Sequence, residues 1–197
     1  MLQLFILLMT VYSIGIEIKE RSSHEWLRLS DKSMLIALTG KLLPYTVIFF
    51  VVMMFQNFML YKVMQIPMQT SMGWLMLGSL MFVLAYQAIG IFFIGLLPMM
   101  RYSLNMSAFY GILALTLCGF SFPIESMPPV FQYWASGFPV RHYMHIFQNQ
   151  ILTGFDLQYS IASHLYLFLF LLVPLTIINR LKSALIYQTF IEKIEKT

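Results

Sequence analysis

The chain has 197 residues, is 59% hydrophobic and 10% charged, and carries a formal charge of +4. A soluble domain has about 25% charged residues, and a body of this size cannot enclose so much apolar surface in its own core. These numbers exclude an ordinary soluble enzyme and indicate an integral membrane protein. One cysteine, Cys118, excludes a disulfide framework within the chain. The basic residues stand at the ends of apolar runs, as membrane orientation requires, rather than in a patch for nucleic acid.

Residues 1–16 (MLQLFILLMTVYSIGI) are apolar but short for a crossing. They lack the basic start and small-residue cleavage site of a signal peptide. They read as the end of a membrane helix whose start is missing, through either a fragment or a split gene. Residues 17–41 follow as a connecting helix. Eight of the twenty Lys, Arg, Asp and Glu residues fall between Glu17 and Lys32. Helical spacing pairs Glu17 with Arg21, Arg21 with Glu25, and Glu25 with Arg28. Ile18, Trp26 and Leu29 share one side, so the helix is expected to lie along the membrane surface, with Asp31 capping the next turn.

Residues 42–61, between Lys41 and Lys62, fit one crossing. A turn around Pro67 precedes a second crossing at 73–97, which ends before Pro98. Residues 102–122 make a third. Residues 123–155 are broken by Pro123, Pro128, Pro129 and Pro139. Tyr133, Trp134, Phe138, Tyr143 and Phe147 give this segment an interfacial character. It reads as short re-entrant half-helices in the outer leaflet, tolerable where protein buries the broken backbone. Residues 159–179 form the last crossing, and 180–197 a tail. The fold class is therefore an all-α polytopic membrane helix bundle of about five transmembrane helices, forming one domain. With 15–41 inside, ten basic residues are cytoplasmic and only Lys62 and Arg141 are external. That bias sets the orientation, with a cytoplasmic C-terminus.

Chemistry is sparse. Thr39-Gly40-Lys41 is not a P-loop: Leu35 stands at the earlier glycine position and Leu42 follows the lysine. His142 and His145 share a helical face but have no carboxylate or thiolate beside them, which makes a poor metal site. No serine lies in a nucleophile elbow. Gln87 is mid-crossing and is expected to face protein or a cavity. Gly73/Gly78 and Gly90/Gly95 are five apart, so they do not form the four-residue small-residue seam. The sixteen methionines suit adaptable apolar packing or a greasy translocation wall.

Two stretches carry a family likeness: Gly15-Ile16-Glu17-Ile18-Lys19-Glu20-Arg21, and Phe122 to Val130 continuing through Phe138-Pro139-Val140 to Gly154. With this order of crossings, the sequence resembles the C-terminal part of the type-2 ABC transporter permease family. The resemblance implies a connecting helix that packs on a separate ATPase, through Glu17, Glu20, Arg21, His24, Glu25 and Arg28. It implies an outer gate at Pro123, Glu125, Met127, Pro128, Pro139 and Arg141, with Glu125 and Arg141 available to pair across it. The expected partners are an ABC ATPase subunit, a second permease half (identical or not) and membrane lipid. No cofactor, metal or ATPase motif is expected in the chain. The implied role is export of a hydrophobic or amphipathic substrate across a bacterial inner membrane. The alternative is a membrane scaffold or assembly factor that recruits another cytoplasmic protein.

Overall fold

The computed structural model describes residues 1–20, 30, 33–63, 72–119, 126–152 and 158–187. Eight α-helices follow in order: α1 Leu2–Lys19, α2 Met34–Phe58, α3 Met72–Leu96, α4 Met100–Leu117, α5 Pro129–Ser136, α6 Pro139–Ile146, α7 Gln158–Leu172 and α8 Ile178–Tyr187. Wider π turns, Met59–Val63 and Phe147–Leu152, continue α2 and α6, and a 3₁₀ turn, Val173–Thr176, separates α7 from α8.

Local chemistry sets most of these ends. Pro129 and Pro139 stand in the first turns of α5 and α6, where a missing N–H costs nothing. Pro98 follows α3, and the Ser103 hydroxyl donates to the carbonyl of Leu97 at the α3–α4 corner. Gly119, with φ of 89°, takes the left-handed conformation just past α4. Pro174 interrupts the last apolar run, and the two halves meet at 41°.

Among the described residues, three helices are long and apolar enough to cross a membrane: Leu2–Lys19, Met34–Val63 and Gly73–Leu96. The bent pair Ser160–Thr176 and Ile178–Leu185 makes a fourth when counted as one span. The helix α4 is not among them; Arg101, Ser103, Asn105 and Ser107 lower its apolarity. The helices also reach into the expected connector from both sides. α1 includes Glu17–Lys19, and α2 begins at Met34, eight residues before the expected crossing. Met34, Ala37 and Leu38 are apolar and pack inward, so the helix has a reason to start there.

α3 is the hub of the bundle, packing on α1, α2, α4, α6, α7 and α8; its most extensive interface is with α1, which packs as extensively on α4. Ile6, Leu7, Val11 and Ile14 are fully buried. In a bilayer, apolar burial between helices gains little over lipid, so close packing decides which helices meet. Two glycines permit the approach. A Cβ on Gly90 of α3 would stand 2.9 Å from the Thr10 Cβ, and one on Gly111 of α4 would stand 3.1 Å from Leu4 Cγ.

The core divides along the bundle axis. One cluster joins Ile6, Leu7, Phe49, Phe82, Tyr86 and Phe138. The other joins Val11, Ile14, Met34, Leu38, Leu181 and Leu185, locking α8 against α1 and α2 at the connector end.

Candidate functional site

At the connector end, Glu17 in the last turns of α1 forms an ion pair with Lys41 of α2. Both side chains are more than four-fifths buried. Burial lowers the local dielectric, so this pair is held more tightly than a surface pair. It clamps the two helices where the charged segment leaves and returns. Glu20 is exposed at the end of α1, and its N–H donates to the Ile16 carbonyl at 2.8 Å. The other expected coupling residues, Arg21, His24, Glu25 and Arg28, lie outside the described residues, as do Trp26, Leu29 and Asp31. Lys41, read from sequence only as the border of a crossing, is instead the partner of a candidate site residue. The signal was present: a lone lysine within an otherwise apolar run needs a counter-charge.

At the opposite end, α5 and α6 form an elbow. Gln132 organises it. Its side-chain amide donates to the Met127 carbonyl at 2.9 Å, and its backbone carbonyl accepts from the Arg141 guanidinium. The Pro128 carbonyl accepts the N–H of Phe131 at 3.0 Å, and Pro139 is buried in the first turn of α6. Met127, Pro128, Pro139 and Arg141 therefore belong to one elbow, whereas Pro123 and Glu125 lie outside the described residues.

Ring contacts and hydroxyls tie the elbow to the bundle. The Tyr110 hydroxyl of α4 donates to the Gly137 carbonyl at 2.8 Å, and its ring lies 4.8 Å from that of Phe138. Tyr143 of α6 packs 4.7 Å from Phe82 of α3. Its hydroxyl is 3.4 Å from Ser79 Oγ, which accepts from Asn57 of α2 at 3.3 Å. A polar chain thus runs from α2 through α3 to the elbow.

His142 stacks on Tyr166 of α7, with centroids 4.7 Å apart. Its Nε2 faces the Ser136 carbonyl at 2.9 Å, so that nitrogen carries the proton. Burial, with smaller contributions from Arg141 and His145, holds the imidazole below its ordinary pKa. His145 Nδ1 faces Ser163 of α7 at 3.2 Å. These histidines fasten the elbow to α7 by polar and ring contacts. Sequence reading missed Tyr110, Ser79 and Tyr166, because their partners lie far along the chain, and Gln132, because its bonds are made through backbone carbonyls.

Outside the elbow, α5 exposes Val130, Tyr133 and Trp134. Such an aromatic face suits a membrane interface.

These two ends are joined by helices of a known type. Residues 1–179 match the family model described as "ABC-2 family transporter protein". The chain belongs to the ABC-2 transporter family. Comparison with curated proteins and with solved structures gave no match. As an ABC-2 permease, the chain is a multi-pass membrane component of a transporter, not its ATPase. Membership implies an ABC ATPase partner and often a second permease. The match takes in α1 to α7 with the Glu17–Lys41 clamp and the elbow, and it ends at the start of α8.

Proposed function

We propose that this permease is the membrane part of an ATP-driven exporter that moves a hydrophobic or amphipathic substrate across a bacterial inner membrane. The observation that carries the reading is the family match over residues 1–179. The Glu17–Lys41 clamp adds a physical route. A cytoplasmic ATPase that grips the segment between Glu17 and Lys41 pulls on α1 and α2 together. α1 packs on α3 and α4, and these carry the contacts to the elbow. Closure of the ATPase then shifts the far end through packed helices that have few ways to yield. Ten basic residues on the connector side against two on the other support a cytoplasmic connector and C-terminus. The elbow, with Arg141 and Pro139 at its centre, serves as the outer gate. The substrate path lies between this chain and a second permease half.

Crosslinking tests this reading. With Arg21→Cys or Glu25→Cys in membranes holding a co-expressed ATPase, a short bifunctional maleimide is expected to join the two proteins. Capture of unrelated cytoplasmic proteins alone would favour a recruiting scaffold and defeat the exporter.

A further inference from the structure

A groove of about 400 Å³ opens on the flank of the bundle between α2, α3 and the α7–α8 break. That volume lies within the range of small-molecule sites. Its walls include Leu38, Leu42, Leu171 and Pro174. Its rim, at Leu43, Val47 and Leu175, is more than half exposed and faces outward from the bundle. In this apolar setting stands one amide. Gln87 lines the groove and is 3% exposed.

The amide is incompletely satisfied. The Thr46 hydroxyl lies 2.8 Å from its oxygen and 2.9 Å from the Leu42 carbonyl. A hydroxyl has one proton to give, so these two acceptors compete. The Gln87 amide nitrogen has no hydrogen-bond partner among the described residues. Turning the amide end for end leaves its oxygen orphaned instead. In hydrocarbon such an orphan is costly. A donor and acceptor in one small group, such as a hydroxyl, satisfies either orientation.

Depth narrows the class further. Gln87 is three residues past Leu84, the middle of α3, hence about 5 Å from its midpoint. Phospholipid ester groups sit at the edge of a hydrocarbon core about 30 Å thick. With the midpoint of α3 at the bilayer centre, their polar atoms stop about 10 Å short of this amide.

We propose that the α2–α3–α7 groove binds a chain-like apolar molecule whose skeleton carries a hydroxyl group at mid-membrane depth, with Gln87 as its polar contact. The site is on the outer flank of one chain and needs neither nucleotide nor a second permease, so it stands apart from the transport reading.

The test uses the full chain in nanodiscs with Val47→p-benzoylphenylalanine on the rim. The probes are stearate and a hydroxystearate with its hydroxyl at mid-chain, with adducts measured by mass spectrometry after illumination. Hydroxystearate is expected to label about fivefold more than stearate, the ratio one neutral hydrogen bond provides. Gln87→Leu abolishes the preference and leaves stearate labelling unchanged. Gln87→Met, closer in shape, does the same if the leucine variant fails to fold. Thr46→Val keeps the preference, because the amide remains. Equal labelling by both fatty acids, or a preference that survives loss of the amide, overturns the proposal. So does a dimer crosslinked through Val47, which would assign the groove to a second copy. None of these results bears on ATPase coupling.

Discussion

Substitution Gly90→Ala tests whether close helix approach, rather than general greasiness, seats α1 against α3. Two effects oppose each other. Alanine is the better helix former by about 1 kcal/mol. Against this, its Cβ would stand 2.9 Å from both Cβ and Cγ2 of Thr10, where contact normally falls at about 3.5–4.0 Å. α1 must then retreat by about 0.6–1 Å, and a gap of that size forfeits a quarter to a half of the dispersion energy along the seam. Overpacking of this kind costs about 1–3 kcal/mol, so the net change is a loss of about 0–2 kcal/mol. Thr10→Gly alone costs a few tenths of a kcal/mol in helix preference and leaves a gap where the buried Thr10 side chain stood. In the double variant the small residue has merely changed helices, and stability should return to within about 1 kcal/mol of the parent. The assay is reversible unfolding in mixed detergent micelles. A gain in stability from Gly90→Ala, or a double variant worse than either single one, would refute the packing argument.

Other expectations concern the two ends. Lys41→Met keeps the aliphatic stem but removes the cation facing Glu17; a loss of about 2 kcal/mol in micelle unfolding is expected, between the exposed and fully buried limits. Adding Glu17→Gln should recover part of that loss, and an additive double variant would show that the pair is not coupled. Tyr110→Phe removes the hydroxyl that donates to the Gly137 carbonyl while keeping the ring on Phe138. It should cost about 1 kcal/mol and raise protease cleavage within α5; unchanged cleavage would mean the hydroxyl does not hold the elbow.

Much of the fold is legible in the sequence because charge and proline punctuate it. The extent of α3 agrees within one residue with the run before Pro98, and the elbow follows Pro129 and Pro139. The start of α2 was less visible. Met34–Gly40 looks the same whether it belongs to a surface connector or to a crossing. The arrangement of helices was not visible at all. In a soluble helix the buried face is apolar and the outer face polar. In a bilayer both faces are apolar, so nothing in MLQLFILLMTVYSIGI shows which of its faces packs on α3 and α4. The glycines show the same limit. Gly90 and Gly95 are too far apart for one small-residue seam, and they meet different elements: Gly90 faces Thr10 of α1 and Gly95 faces Ile177. Gln87 was legible, since an uncharged polar residue in mid-crossing must face protein or a cavity. Its partner Thr46 was not, because the two are 41 residues apart. The elbow's Gln132 was hidden because its bonds go to backbone carbonyls, which every residue possesses.

The central claim is that the charged end of α1 and α2 lies in the cytoplasm, where an ATPase can grip it. Glu20 is exposed at that end, and Cys118, the native cysteine, is buried. Glu20→Cys in a Cys118→Ala background can therefore be probed with a membrane-impermeant maleimide from either side. The account predicts labelling in inverted membrane vesicles and none in intact cells; labelling in intact cells would contradict it.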